Sequence, residues 1–228
     1  EEVHIPDSVT EIGASAFQHC SSLREIDIPD SVVGIGSFAF LCCRRLERVR
    51  ISGSVEEIDL GAFDCCVNAS FDVDERNRFF SSDRGALFDK DGKTLLIGYQ
   101  LVHGGVCVIP ESVTSIGYGA FDCCKSLKEM RIHASVTDIE ENAFDDCGFV
   151  YFTVNRRNRY YYSTRYGELI RYRCCGPHRA SSARCYIASF RGGCSRAHAI
   201  ESCSDVLFSS ATRIRTVSTV PETLFKKA

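Results

Sequence analysis

The sequence predicts an α/β repeat fold, a solenoid of about five 23-residue coils with β-hairpin insertions, and two observations carry that prediction. The same residue types recur in register. Ser8-Val9, Ser31-Val32, Ser54-Val55, Ser112-Val113 and Ser135-Val136 align, as do Ile12, Ile35, Ile58, Ile116 and Ile139. Ala16-Phe17, Ala39-Phe40, Ala62-Phe63, Ala120-Phe121 and Ala143-Phe144 follow, and then Cys20, Cys43, Cys66, Cys124 and Cys147. The spacing is also fixed: Phe17 to Phe40, Phe40 to Phe63 and Phe121 to Phe144 are each 23 residues, while Phe63 to Phe121 is 58. A constant period of this length is the mark of stacked supersecondary units, here interrupted once by a longer excursion.

Each part of the unit has a physical reason, and Arg24 to Leu46 shows them in order. Ile26 and Ile28 alternate with Glu25 and Asp27, a period of two that puts the isoleucines on one face of a short strand. Pro29 ends the strand, because it fixes φ and has no N–H for a ladder. Ser31 suits a turn, and Val32 and Ile35 bring a second extended segment inward. Gly36 allows a tight corner, and Ala39, Phe40, Cys43 and Leu46 have the spacing of one or two helical turns with one buried stripe. A lone unit leaves the top and bottom of its apolar layer bare, so stability must be shared between neighbouring coils.

The coils fall in two groups. Residues 1–70 hold three and residues 105–150 hold two; residues 71–104 form a strand, Phe71-Asp72-Val73, and a hairpin. In that hairpin Asp91-Gly92 supplies the turn between two apolar runs. A second excursion begins over 151–173, where Phe152-Thr153-Val154 matches Phe71 to Val73 and Asn158, Tyr160 and Gly167-Glu168-Leu169 answer Asn77, Phe79 and Gly85-Ala86-Leu87. The larger block therefore recurs about 81 residues on. Another coil is due near 190–199, but the motif is gone, and residues 174–228 are rich in Ser, Arg, Ala and Cys without a strand or helix period. That tail admits three readings: an irregular cap, a disordered end, or a translation that left the reading frame near residue 173.

The joint pattern Ile-Pro-x-Ser-Val-x-x-Ile-Gly-x-x-Ala-Phe-x-x-Cys-x-x-Leu, read over Ile5 to Leu23, Ile28 to Leu46 and Ile109 to Leu127, resembles the BspA-like leucine-rich repeat, a 23-residue class of bacterial surface antigens and some protist proteins. The resemblance covers roughly residues 1–173. It implies a curved leucine-rich-repeat solenoid with parallel strands on its faces, an extracellular or cell-surface location, and adhesion to host or matrix proteins or contact between cells. It brings no catalytic residues and no cofactor. Two copies depart from the pattern: Ile51-Ser52-Gly53 and Ile132-His133-Ala134 stand where the Ile-Pro turn is expected.

Composition narrows the function classes. A net charge of −3 gives no general attraction for nucleic acid, and no run is long and apolar enough to span a bilayer. Glu1 already lies inside a repeat and no initiating Met is present, so the chain reads as a fragment whose missing signal peptide says nothing about secretion. Of 14 cysteines, the five repeating ones form a buried ladder of small apolar thiols. Cys42, Cys65 and Cys123 precede ladder positions and are expected to point to solvent, with a cross-coil Cys42–Cys65 disulfide or two free thiols as the alternatives. No metal site is assigned. Asp89-x-Asp91-Gly92 lacks the spacing of a calcium loop, and the tail's Cys174, Cys175, His178, Cys185, Cys194, His198 and Cys203 fall into near-zinc spacings that a Cys-rich composition produces readily.

The chain is expected to be no enzyme. His4, His19, His103 and His133 fall at positions read as exposed, without a matched nucleophile or carboxylate. The residues between the inward ones of each strand point outward and stack across coils, which makes Glu25, Asp27, Arg48, Arg50, Glu129 and Arg131 the candidate partner-binding face, with Tyr151 and Tyr160 as aromatic anchors. This mixed-charge surface suits a protein partner, host extracellular matrix or cell-surface proteins among them, better than a polyanion. The alternative is a passive structural spacer without a specific ligand.

Overall fold

The computed structural model describes residues 2–172 and the backbone of residues 185–191 and 194–200. The first three coils each run through a strand, a corner and a second strand: β1 (Glu2–Val3) and β2 (Glu11–Ile12), β3 (Glu25–Ile28) and β4 (Gly34–Ile35), β5 (Arg48–Ile51) and β6 (Glu57–Ile58), with β7 (Ser70–Val73) starting a fourth. Like strands stack in parallel, giving one sheet in the order β1-β3-β5-β7 and another in the order β2-β4-β6. Register follows the motif: Ile26 pairs with Val49 and Val49 with Phe71, while Ile12 pairs with Ile35 and Ile35 with Ile58. The inward members of these pairs are nearly all buried, because each coil covers the apolar layer of the next.

The third side of each coil is not helical. Phe38 and Cys42 adopt left-handed backbone, φ 59° and 60°, and the same pair of left-handed positions recurs at Ser15 and His19, Gly61 and Cys65, Gly119 and Cys123, and Asn142 and Asp146. Alternate N–H groups divide their work. Those of Ala39, Leu41 and Cys43 close turns onto Gly36, Phe38 and Phe40, while those of Phe40 and Cys42 reach the next coil at the carbonyls of Ala62 (2.7 Å) and Asp64 (2.9 Å). An α-helix would keep every one of these bonds inside the coil, so stacking selects a run of turns instead. The only helical piece among the described residues is a 3-10 turn, Tyr99–Leu101.

Inside the turns the aromatic ladder closes up. The rings of Phe17, Phe40 and Phe63 stack at 5.1 and 5.0 Å, and those of Phe121 and Phe144 at 5.4 Å. The expected cysteine ladder lies beside them: the Cys43, Cys66 and Cys147 thiols donate to the carbonyls of Phe17, Phe40 and Phe121 in the coil before, at 3.0, 3.0 and 2.9 Å. Burial pushes the Cys147 thiol up to about 12.

The insertion builds β8 (Phe80–Asp83), β9 (Ala86–Asp89) and β10 (Thr94–Ile97). β8 and β9 pair antiparallel around Arg84 and Gly85, both at positive φ, the geometry of a two-residue hairpin turn. β9 and β10 form the hairpin that the sequence predicts, with Gly92 at φ 65°. Asp89 is a turn cap here: its Oδ1 accepts the N–H groups of Lys93 (2.7 Å) and Thr94 (3.0 Å). The chain rejoins the solenoid earlier than the sequence suggests. β10 lies parallel to β13 (Ser115–Ile116), and the N–H of Gly98 reaches the Ala120 carbonyl as a Phe of the motif would. Between them run β11 (Val102–His103) and β12 (Val106–Val108). β14 (Glu129–Ile132) stacks on β12, β15 (Asp138–Ile139) on β13 and β16 (Tyr151–Val154) on β14, all parallel.

The second excursion repeats the first. β17 (Tyr161–Ser163) and β18 (Leu169–Arg171) pair antiparallel, and Gly85 and Gly167 share a φ of 77°. Phe71 and Phe152 donate to the carbonyls of these glycines, at 3.0 and 2.8 Å. Asn77 is buried, donates to the Ser52 and Val55 carbonyls and accepts from the N–H groups of Phe79 and Phe80, all at 2.8 Å. Asn158 makes the same four bonds, with His133, Val136, Tyr160 and Tyr161. The departures from the Ile-Pro turn tie it to the coil before: Ser52 Oγ reaches the Pro29 carbonyl at 3.0 Å, and His133 Nε2 lies 2.9 Å from that of Pro110. His133 is therefore half-buried between coils, not a solvated surface residue as its sequence position suggested. Beyond these, β19 (Cys185–Arg191) and β20 (Cys194–Ile200) form an antiparallel hairpin where the sequence shows no strand period. The three readings of the tail otherwise lie outside the described residues.

Candidate functional site

Period-two alternation dictates which side chains leave the core, and the candidate face follows from it. In β3, β5 and β14 the inward positions are buried while Asp27, Arg48, Arg50 and Arg131 are exposed; Glu25 and Glu129 are half-buried. Cross-strand register then places opposite charges side by side. Arg48 reaches Glu25 at 3.2 Å; Arg50 sits between Asp27 (3.3 Å) and Asp72 (4.0 Å). Glu129 and Arg131 pair along one strand at 2.9 Å, and this hydrogen bond from Arg131 holds the Glu129 carboxyl below its usual range. Such exposed pairs contribute little stability, and their effect is to leave a face of alternating sign with little net field.

The structure brings these residues together only in part. Glu25, Asp27, Arg48 and Arg50 share the β1-β3-β5-β7 sheet, whereas Glu129, Arg131 and Tyr151 belong to the sheet ordered β11-β12-β14-β16. Tyr151 is exposed with its ring over Gly167, where a Cβ would stand 2.2 Å from it. Tyr160 is also exposed, in the turn before β17, as are Tyr166 and Tyr172 of the same excursion. His4, His19 and His103 are exposed as expected. Of the near-zinc cysteines and histidines of the tail, Cys185, Cys194 and His198 fall on the β19–β20 hairpin, and Cys174, Cys175, His178 and Cys203 lie outside the described residues.

A second cluster lies where the two groups of coils meet. Cys65 and Cys123 form a disulfide with a Cα separation of 5.1 Å that closes a loop of 58 residues. Cys65 is buried and Cys123 half-buried, and Cys42 remains a free thiol, so the pairing differs from a Cys42–Cys65 bridge. The insertion leaves and returns on one side, so the coil after it lies against Cys65. Asp64 and Asp122 accompany the disulfide. Burial, reinforced by Asp122, pushes the Asp64 carboxyl up to about 6, and burial does the same for Asp122. Tyr99 is buried nearby, its hydroxyl pushed well above its ordinary value by burial and then by these two carboxylates. Sequence reasoning missed this cluster, although Asp64-Cys65-Cys66 and Asp122-Cys123-Cys124 are the same triplet on either side of the long gap.

A model of the BspA type leucine rich repeat region matches residues 1–82 and 106–166, in six copies where the recurring motif gives five. Solved structures with a similar trace include the pneumococcal vaccine antigen PcpA, at 21% identity over 63% of this chain and 42% of that one, with a TM-score of 0.48. A leucine rich cell surface protein from Faecalibacterium prausnitzii is 24% identical over 73% of this chain and 47% of that one, with a TM-score of 0.39. A leucine-rich repeat protein from Eubacterium ventriosum is 18% identical over 67% of this chain and 60% of that one, at 0.40. The chain thus spans less than two thirds of the length of each of these three. No curated protein matches it. With the repeat matched over more than half its length, and with strands, turns and ladders in register with that repeat, this chain belongs to the BspA-type leucine-rich repeat family.

Proposed function

We propose that the chain is a non-enzymatic protein-interaction module of an exported or surface-displayed repeat protein. The observation that carries the reading is the ladder on β5, where Arg48 and Arg50 project from the middle of a parallel sheet and meet acidic neighbours from β3 and β7. A regular exposed ladder of alternating charge can register against a protein surface of complementary pattern, while its small net field offers a polyanion little. Tyr151 and Tyr160 add exposed aromatic area of the kind that anchors protein interfaces. The Cys65–Cys123 disulfide supports an oxidising compartment, since such bonds persist outside the reducing cytosol.

The same ion pairs also favour a second reading, a passive spacer, because charges that satisfy one another need no partner. Equilibrium binding of the chain to a panel of extracellular-matrix and cell-surface proteins separates the two. The interaction reading expects saturable binding that is lost in the triple variant Arg48→Glu, Arg50→Glu, Arg131→Glu. Saturable binding that survives the reversal removes the face from the function, and absence of binding across the panel favours the spacer.

A further inference from the structure

We propose that Cys65, Cys123 and Asp122 form a redox-gated site for one thiophilic divalent metal ion. One ligand atom from each lies within 4.8 Å of the other two, and Cys65 Sγ is 3.3 Å from Asp122 Oδ2. Tetrahedral zinc, with bonds of about 2.3 Å to sulfur and about 2.0 Å to a carboxylate, needs its sulfurs roughly 3.8 Å apart. Backbones 5.1 Å apart at Cα allow that separation by side-chain rotation alone. The backbone is already fixed: both cysteines sit at φ 59° within the turns that stack coil on coil. Two thiolates and a carboxylate leave one position for water, a donor set suited to zinc or cobalt and poor for calcium or magnesium.

The surroundings point to a cation. Asp64 extends over the neighbouring coil, with its Oδ1 2.7 Å from where a Cβ on Gly119 would stand. Among the described residues, neither Asp64 nor Asp122 makes an ion pair, and the Asp64 carboxylate accepts no hydrogen bond. Two half-buried carboxylates beside two sulfurs, with Lys125 a minor influence on Asp122, leave negative charge that a divalent ion would balance. The gate is the disulfide itself. A thiol reductant supplies two electrons, is itself oxidised to a disulfide, and leaves Cys65 and Cys123 as two thiols. Binding of the ion then displaces their two protons. A disulfide oxidant then takes two electrons from the Cys65 and Cys123 thiolates and is itself reduced to two thiols as it takes up two protons; the re-formed bond removes both sulfur ligands and releases the ion.

The test is cobalt(II) titration of the full chain under anaerobic reducing conditions, followed by competition with zinc. Thiolate-to-cobalt absorption counts the sulfur-ligated ions, and cysteines elsewhere contribute equally to every variant. The wild type and Cys42→Ser are expected to bind one equivalent more than Cys123→Ser. Asp122→Asn, which keeps both thiols, is expected to bind that equivalent at least about tenfold more weakly. Wild-type count and affinity in either Cys123→Ser or Asp122→Asn, or no cobalt bound by the wild type, would overturn the proposal.

Discussion

Asn77 and Asn158 are one clamp used twice: 81 residues apart, each side chain ties two carbonyls of the preceding coil to two N–H groups of its own excursion. A buried amide that meets all four needs holds each hairpin against the stack without a covalent link. Asn77→Ala strips partners from four backbone groups, each costing on the order of 1 kcal/mol or more, so a loss of about 3 kcal/mol is expected in urea unfolding. Asn68→Ala, which gives up one exposed bond to the Arg44 carbonyl, serves as the contrast and should change stability by less than about 0.5 kcal/mol.

Gly13 and Gly36 occupy the same corner of successive coils but face different surroundings. A Cβ on Gly36 would stand 2.7 Å from the Ala14 backbone nitrogen, whereas one on Gly13 meets nothing within 4 Å. Gly36→Ala is expected to cost about 1 to 3 kcal/mol through overpacking, and Gly13→Ala to be neutral or slightly stabilising. Paired thermal melts decide it, and equal effects would show that the corner itself, not the neighbouring coil, demands glycine.

The Cys65–Cys123 bridge constrains the unfolded chain across 58 residues, which by loop-closure entropy is worth about 4 kcal/mol. Denaturation with and without reductant should show a loss of that order in the wild type and none in Cys65→Ser. Cys42→Ser should behave like wild type, since that thiol is free.

Hydrogen bonds from Arg76, the shortest between Arg76 Nη2 and Asp74 Oδ2 at 2.7 Å, hold the Asp74 carboxyl down to about 2. Its unfolded value is about 3.9, so between these two values the unfolded chain binds more protons. Whatever stability the pair contributes is therefore full above about pH 4 and is lost as pH falls toward 2. Carboxyl NMR titration should find Asp74 titrating near 2 in the wild type and higher in Arg76→Gln, but still below its unfolded value, because the backbone N–H of residue 76 continues to bond Oδ1 at 2.8 Å. The exposure of the pair keeps the effect on global stability small.

The coil was legible because its positions are written several times over. Ile26, Ile35, Phe40 and Cys43 each face the core, as do their counterparts, and strand alternation sent Arg48 and Arg50 outward. The helical turn expected from Ala39 to Leu46 was a misreading with a clear cause. Spacings of one, three and three fit a helix and a run of turns equally well, and what separates them is the bond from Phe40 to Ala62, which lies outside any single unit. The disulfide was hidden for a related reason. Cys42 and Cys65 lie in stacked coils, but Cys65 bridges to Cys123, which the insertion, 58 residues in the count, folds back against it. Asn77 and Asn158 were visible as matching letters, and nothing in a lone polar residue announces four buried bonds.

Because strand register, aromatic stacking and the cross-coil bonds of the turns all step together, length changes in this molecule are quantised. Adding or removing a whole coil shifts every ladder by one rung and leaves the remaining contacts of like kind. A change of any other size inside a coil would break strand, turn and ring ladders at once. Room for shorter or longer variants therefore lies only in turns that bond to no neighbouring coil.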